Sequence, residues 1–404
     1  MRSRMLVAAI AAVIGAGGIA AAMPAVAQTT NTSSSLPSDS TELPQLQQQI
    51  SALQAKVDQL QRQQQQQQPA QTAAAPAAAQ ADRRLDALEQ WVDNTKIGGT
   101  MYTDFTNIDK TSNGSKTAAS GTGLDVKRFY LSIGHQFNDV WSANLTTDFN
   151  YTAATGETQL FVKKAYLQGA FSKLAILRVG SANMPWIPFV EDWYGYRFVE
   201  NTLTDRLHFA NSADWGVHLL GASGMFNYQV SMVNGGGYKH PARSNSVDFA
   251  GRAGFEPIQG LMFAVGGYSG DLGKDTATSP VLHSARRYDA MAAWNRNGLR
   301  LGVEWFKADS WNNVTMPLAD SADGYSLWGS HDFSTASVFA RYDRVKPSKD
   351  LDPNLKNTYY NVGVAFPITK GVRVAIAWKN ERLRNGTSVD VNSREIGAWG
   401  EVKF

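Results

Sequence analysis

The last eleven residues, Arg394 to Phe404, alternate between two kinds of side chain and end on an aromatic. Ile396, Ala398, Gly400, Val402 and Phe404 share one face of a strand, and Glu395, Gly397, Trp399, Glu401 and Lys403 share the other. Such a strand needs an apolar phase on one side and water on the other. Similar stretches recur from Ile97 onward. Trp141, Ala143, Leu145, Thr147, Phe149 and Tyr151 alternate with Ser142, Asn144, Thr146, Asp148 and Asn150. Phe226 to Met232, Leu299 to Trp305 and Val372 to Lys379 repeat the pattern. Segments of about ten alternating residues are the signature of a transmembrane β-barrel, with hydrocarbon outside and electrolyte within. A soluble β-sandwich is the competing fold, but its outer faces would be polar, whereas this apolar face carries aromatics near strand ends, as at a membrane interface. The joins Asn138-Asp139 and Asn297-Gly298 have hairpin-turn chemistry, because Asn, Asp and Gly tolerate positive φ. The expected fold is all-β: an antiparallel barrel of about sixteen strands over residues 97–404, wide enough for an aqueous channel.

The rest of the chain reads differently. Residues 1–27 have the form of a cleaved export signal, with Arg2 and Arg4, an apolar run and Ala25-Val26-Ala27,. Residues 28–42 are rich in Ser and Thr and are expected to lack fixed structure. From 43 to 68, Leu43, Leu46, Ile50, Leu53, Val57 and Leu60 follow a 3-4-3-4-3 spacing. That spacing is a short coiled-coil seam calling for partner helices. The other reading is a helix packed on its own domain, yet no neighbouring helical segment offers a surface. Residues 69–96 read as an Ala/Pro/Gln-rich spacer with a short helix around Leu85, Leu88 and Trp91,.

No Cys is present, so disulfides and thiolate metal sites are excluded,. The formal charge of +3 becomes about +1 once Arg2 and Arg4 are removed, which argues against a nucleic-acid binder. No cofactor or metal is expected. His135, His208, His218, His240, His283 and His331 are scattered, and neither a G-x-S-x-G elbow nor an H-E-x-x-H helix accompanies them,. A barrel enzyme is therefore disfavoured.

The longest interruption lies between the strand Leu174–Ala182 and the strand beginning near Asp214. A loop of that length is either functional or disordered. Met184, Pro185, Trp186, Ile187, Phe189, Val190, Trp193, Tyr194, Tyr196 and Phe198 suit order. The expectation is a segment folded into the barrel to narrow it, with a plug or outer cap as the alternative. Its charges are mixed: Glu191, Asp192, Glu200 and Asp205 against Arg197 and Arg206. Strand parity assigns Lys164, Arg178, Arg252, Arg300, Arg341, Arg373 and Lys379 to the lumen, with Asp148, Asp248, Glu256, Asp289, Glu304, Asp343 and Glu401 opposing them. Basic rings favour anions, and opposed walls of unlike charge orient dipolar solutes. Trp186, Trp193, Tyr194 and Tyr196 support a second reading, a carbohydrate or aromatic-solute channel with stacking surfaces.

The run Ala165-Tyr166-Leu167, Leu177-Arg178-Val179-Gly180, Pro185 with Glu191, Arg197 and Glu200, then Asp214-Trp215-Gly216-Val217 and Gly221 resembles the phosphate-selective porin O and P family. Arg128-Phe129-Tyr130-Leu131 and the terminal Phe404 are similar to the same family. The resemblance implies a trimeric, sixteen-stranded porin in the outer membrane of a Gram-negative bacterium, with the long loop folded inward and anions as permeants. It also implies insertion by the barrel-assembly machinery through Phe404. The family's arginine ladder has no R-x-R-x-R counterpart here, Arg382-Leu383-Arg384 being the nearest approach, and Ala213 stands where an Arg is usual. The expected function is passive diffusion of small hydrophilic solutes with a mild anion, phosphate-like preference. The helix is expected to lie in the periplasm, where it holds the oligomer or reaches the cell wall.

Overall fold

The computed structural model describes residues 42–152, 157–241 and 243–404. The export signal and residues 28–41 lie outside the described residues. Contacts divide the chain after Arg83. The first helix, α1 (Glu42–Asp93), runs through residues 69–80, where the sequence suggests a spacer. Ala and Gln are strong helix formers, and their density there carries the helix past Pro69 and Pro76. Leu46, Ile50, Leu53, Val57 and Leu60 are exposed along it, as are Leu85, Leu88 and Trp91. Among the described residues no helix is long and apolar enough to cross a membrane.

The chain turns into strand immediately after α1. The Thr95 hydroxyl donates to the Trp91 carbonyl at 2.7 Å. β1 (Thr95–Ser112), β2 (Gly121–Gln136), β3 (Trp141–Thr152), β4 (Glu157–Ser172) and β5 (Ala175–Asn183) precede the long loop, which holds α2 (Ile187–Tyr194) and α3 (Leu203–Arg206). β6 (Ala213–Ser223), β7 (Phe226–Val233), β8 (Asp248–Ile258), β9 (Leu261–Gly270), β10 (Ala285–Arg296) and β11 (Leu299–Asp309) come next. β12 (Ser321–Asp332), β13 (Ser337–Lys346), β14 (Lys356–Thr369), β15 (Val372–Arg384) and β16 (Asp390–Lys403) complete the set. A two-residue strand, Ser115–Lys116, folds back on β1.

Each strand pairs antiparallel with its neighbours, and β1 pairs with β16 from Thr100↔Lys403 to Ser112↔Val391. The sheet thus closes into a barrel of sixteen main strands with no free edge, as a membrane requires. One rim carries tight turns. At Asn297-Gly298 both residues have positive φ, 55° and 75°, the twist a two-residue hairpin needs. The other rim carries the long connections, among them residues 184–212, 234–247 and 271–284.

Alternation sorts the side chains as the sequence suggests. Ile396, Ile376, Val362, Val230 and Leu301 are exposed on the outer face, whereas Trp399, Glu401, Ala375, Ala377, Ser231 and Glu304 are buried within. The buried core is not between sheets. It lies inside the barrel, where residues 184–212 pack against the wall in two clusters. Trp186, Val190, Tyr194, Tyr196, Phe198 and Val199 meet Met262, Ala264, Met291, Ala293, Trp328, Phe339, Ala365, Ala375, Ala377 and Trp399. Met184, Leu203 and Phe209 meet Val233, Ala250, Phe306, Trp311 and Val345. The many inward alanines leave the volume that the loop's aromatics fill. A Cβ on Gly266 would come within 2.6 Å of the Trp186 ring.

Candidate functional site

The loop enters the barrel because its apolar residues have the period of a short helix. In α2, Ile187, Val190 and Tyr194 are buried on one side. Pro188 suits its first turn, and Gly195 ends it at φ 77° with its N–H bonded to the Glu191 carbonyl. A Cβ on Gly195 would lie 2.7 Å from the Arg300 guanidinium, so this position favours glycine twice over,.

The loop backbone is held by cations of the wall. Arg300 Nη1 donates to the carbonyls of Asp192 and Trp193 at 2.9 and 2.8 Å. Arg252 Nε reaches the Pro185 carbonyl at 3.0 Å, Arg287 Nη1 that of Phe209 at 2.8 Å, and Arg373 Nη2 that of Gly195 at 3.1 Å. Arg341 donates to the Asn201 carbonyl, and Lys127 and Lys379 both reach that of Val199. Loop carbonyls with no helix or sheet partner are thereby satisfied. Of the basic residues that strand parity places in the lumen, Arg252, Arg300, Arg341, Arg373 and Lys379 grip the loop. Arg341 and Lys379 are 3% and 4% exposed, which removes them from any water-filled passage.

The acids complete this fastening. Arg341 chelates Asp343 through Nε and Nη2 at 2.8 and 2.7 Å, and Arg206 of α3 approaches the same carboxylate at 3.0 Å while bonding Glu381. Lys379 bridges Glu395 at 2.8 Å and the loop's Glu200 at 3.3 Å. Burial by itself would raise the Glu200 carboxyl, but Lys379, Lys127 and Arg206 outweigh it and hold that group well below the usual carboxylate range,. Glu304 accepts from the Trp186 indole at 2.8 Å, Asp289 from Arg287 at 2.9 Å, and Glu401 from Arg373 at 2.7 Å. Asp248 caps the backbone of Asp271 and Leu272, and Glu256 that of Gly260. Most expected lumen acids therefore have structural partners.

A different stretch of wall meets the loop's apolar clusters only at Tyr130 among the described residues. On β2 to β5 the inward side chains include Arg128, Ser132, Thr146, Lys163, Lys164, Gln168 and Arg178. Two β-bulges concentrate the charge here. The register slips between Thr146 and Thr147, so that Thr147 faces Val162 while Thr146 faces Lys164, and Lys163 is the extra residue. A second slip leaves Lys127 unpaired beside Arg128. Bulges re-aim side chains in this way. Lys163 Nζ sits 3.3 Å from the Tyr130 hydroxyl and 4.4 Å from its ring. Arg178 bonds Gln168 at 2.8 Å and lies 5.1 Å over Tyr166. Arg128 pairs with buried Asp148 at 3.1 Å. Lys163, Lys164 and Arg178 form no ion pair among the described residues. Facing this wall, Arg197 of the loop is shared by Glu191 at 2.6 Å and Asp205 at 3.4 Å. Arg128, Tyr130, Lys163, Arg197, Asp205 and Lys239 line a cavity of ≈ 220 Å³ between wall and loop. On the turn side of the loop, Glu191, Asp192, Arg300, Arg373, Glu401 and Lys403 surround a second space of ≈ 510 Å³.

Trp186, Tyr194 and Tyr196 are 2%, 3% and 4% exposed, their ring faces spent on the loop–wall core, and Trp193 is half-buried against it. Among the six histidines, His218 is buried with Nδ1 at 2.9 Å from Ser231. The described residues hold no group of three metal-ligating side chains. Parity alone did not find Lys127, Arg128 or Lys163. The signal was the adjacent basic pairs Lys127-Arg128 and Lys163-Lys164, each of which breaks the alternation of its strand.

Residues 95–187 match the family model described as phosphate-selective porin O and P. Over that segment the chain is similar to the porin O and P family. The barrel as a whole is similar to solved porins, which shows its fold. An anion-selective porin from Comamonas acidovorans superimposes with a TM-score of 0.55 at 11% identity, covering 77% of this chain and 99% of that one. OmpT of Vibrio cholerae in its trimer form gives 0.50 at 13%, covering 77% and 99%. OmpF of Salmonella typhi in complex with daunomycin gives 0.52 at 12%, covering 77% and 97%. No curated relative matches the sequence. The family match and the porin neighbours support an outer-membrane channel protein, and in barrels of that kind the longer connections lie on the extracellular side.

Proposed function

We propose that this porin passes small hydrophilic solutes by diffusion and prefers anions of phosphate-like size and charge. The observation that carries this reading is the basic wall of β2 to β5. Arg128, Lys163, Lys164 and Arg178 stand together there, and three of the four lack an ion-pair partner among the described residues. An unpaired cation in a narrow, low-dielectric passage attracts a mobile anion more strongly than one in bulk water. The ≈ 220 Å³ cavity lies between that wall and Arg197, whose single charge is more than offset by Glu191 and Asp205, which tempers the preference. The anion-selective neighbour from Comamonas acidovorans has the same fold. Stacking of a sugar on Trp186, Tyr194 or Tyr196 finds less support, because these rings already pack against the wall.

A homotrimer is the assembly we favour. The trimer form of the structurally similar OmpT supports it, as does the exposed apolar seam of α1, which needs copies of itself to cover it,. In this scheme α1 lies in the periplasm, and Phe404 serves as the assembly signal. Reversal potentials in asymmetric KCl test the selectivity. A potential of the sign set by chloride supports it, and one set by potassium overturns it.

A further inference from the structure

The outer face of the barrel is not uniform at its extracellular end. On β2 to β9 the outward residues near that rim are neutral, such as Leu124, Leu160, Phe249 and Ser269. On β13 to β16 they are cations: Arg344, Lys346, Lys356, Arg382, Arg384 and Arg394. Their outward direction follows from the alternation. Arg341, Asp343 and Val345 are buried inside β13, as are Asn357 and Tyr359 inside β14, so the residues between them point out. The ladder brings the six together. Lys356 is opposite Arg384, and Thr358 lies between Arg344 on one side and Arg382 on the other. Arg394 is opposite Asn380 and, across the closing seam, Asp109. Three carboxylates oppose the six cations, and one of them, Asp323 on β12, stands opposite Lys346 and is engaged by Lys349. Asp390 pairs with Arg382 at 2.6 Å, and Asp109 is engaged by Lys116 at 3.6 Å. Toward mid-barrel these strands and β12 carry an aromatic girdle, with Tyr325 of β12 beside Tyr342 and Tyr360 against Trp378 at 5.2 Å. Such girdles mark the membrane interface, which puts the cations at headgroup level in the outer leaflet.

We propose that this belt binds the phosphorylated headgroup of a glycolipid of the outer leaflet, lipopolysaccharide. The chemistry is complementary. A disaccharide bearing phosphate monoesters presents clustered negative charge at that depth, and guanidinium groups recognise phosphate through paired, charge-assisted hydrogen bonds. A zwitterionic phospholipid, with its phosphate neutralised by its own amine, is a poor match. The belt faces outward and is separate from the lumen, so it acts independently of solute selectivity.

The test uses the full-length protein in detergent, with the bisphosphorylated lipid anchor of lipopolysaccharide as the probe and native mass spectrometry as the readout. The expected result is a retained glycolipid that phosphatidylethanolamine does not displace. The Arg344→Gln/Arg382→Gln/Arg384→Gln/Arg394→Gln variant is expected to lose at least tenfold in retention while its single-channel conductance stays unchanged. Loss of the probe to millimolar inorganic phosphate would identify a free-phosphate site instead and overturn the assignment. Equal retention by variant and parent would overturn it too, as would equal retention of phosphatidylethanolamine. If the fourfold variant does not fold, the single changes Arg344→Gln and Arg384→Gln carry the test, each expected to lower retention severalfold and overturning the proposal if neither does.

Discussion

The inner wall of this porin has two halves that obey one alternation rule and use it for opposite ends. From β9 to β16 the inward positions are small or aromatic, Ala264, Ala293, Ala375 and Ala377 beside Trp328 and Trp399, with cations set among them. Those cations donate to loop carbonyls or to buried acids and are spent on holding residues 184–212. From β2 to β5 the inward positions are long and polar, and one bulge adds Lys163, which the loop does not grip, while the other adds Lys127, which reaches the Val199 carbonyl. An inward-facing Arg is therefore not yet a pore residue. What decides is whether its partner is the protein or the solution.

The largest expected effect comes from breaking the fastened half. Arg341→Leu removes the chelate on Asp343 and the bond to the Asn201 carbonyl, leaving a buried carboxylate with Arg206 as its remaining charged partner and Ser326 as a hydrogen-bond donor. Removing one member of a buried pair costs about 3–5 kcal/mol. Loosening of α3 and the end of the loop should raise single-channel conductance and its open-channel noise. Unchanged conductance and noise would mean that the loop is held without this clamp.

Next in size is the open half. Lys163→Gln/Lys164→Gln removes two cations with no ion-pair partner among the described residues and leaves the loop's fastening intact. Two unit charges about 4 Å apart interact by roughly 1 kcal/mol even in bulk water, so the anion-to-cation permeability ratio should fall severalfold at low salt. The fall should shrink at 1 M KCl, where screening acts within about 3 Å. The reciprocal change, Arg300→Gln on the fastened half, should alter conductance more than selectivity. If both variants shift selectivity alike, the division between the two halves is wrong.

The sequence carried more of the fold than of the site. The period of two at Ile396 to Phe404 and at Leu299 to Trp305 sorted lipid from lumen because one solvent lies on each side. The aromatic content of residues 184–198 foretold a loop that needs covering. The site was harder for two physical reasons. A bulge inverts parity locally, and Lys127 and Lys163 reach the lumen only through one. Nor does pattern reveal whether an inward cation meets water or a carbonyl, which is why Arg178 and Arg341 looked alike in the sequence and differ in the fold. The α1 helix teaches the converse: the composition of residues 69–80 suggested a spacer, while their Ala and Gln content favours continued helix,.

A smaller effect is expected at Gly195. Gly195→Ala places a Cβ at φ 77° and against the Arg300 guanidinium. The left-handed conformation costs a non-glycine residue roughly 1–2 kcal/mol, and Arg300 must also move from the Asp192 and Trp193 carbonyls. Conductance should change modestly and thermal stability should drop, while selectivity, which belongs to the other half, stays put. A selectivity change equal to that of the lysine double variant would contradict the separation.

The smallest effect expected is that of acid on the intact protein. Glu200 ties the loop to Lys379, and its folded-state carboxyl is depressed relative to an unfolded glutamate. A depressed carboxylate contributes stability above the unfolded glutamate range near pH ~4 and loses it only as pH falls through the folded value. From pH 8 to about pH 4 the Glu200–Lys379 tie should therefore persist, and the single-channel current should show no step attributable to it. Glu200→Gln, by contrast, lacks the charge at every pH and should show raised open-channel noise already at neutrality. A noise transition in the parent between pH 7 and about pH 4, absent from Glu200→Gln, would mean that this carboxylate is not depressed below the ordinary range. The cations beneath the loop would then not be holding it.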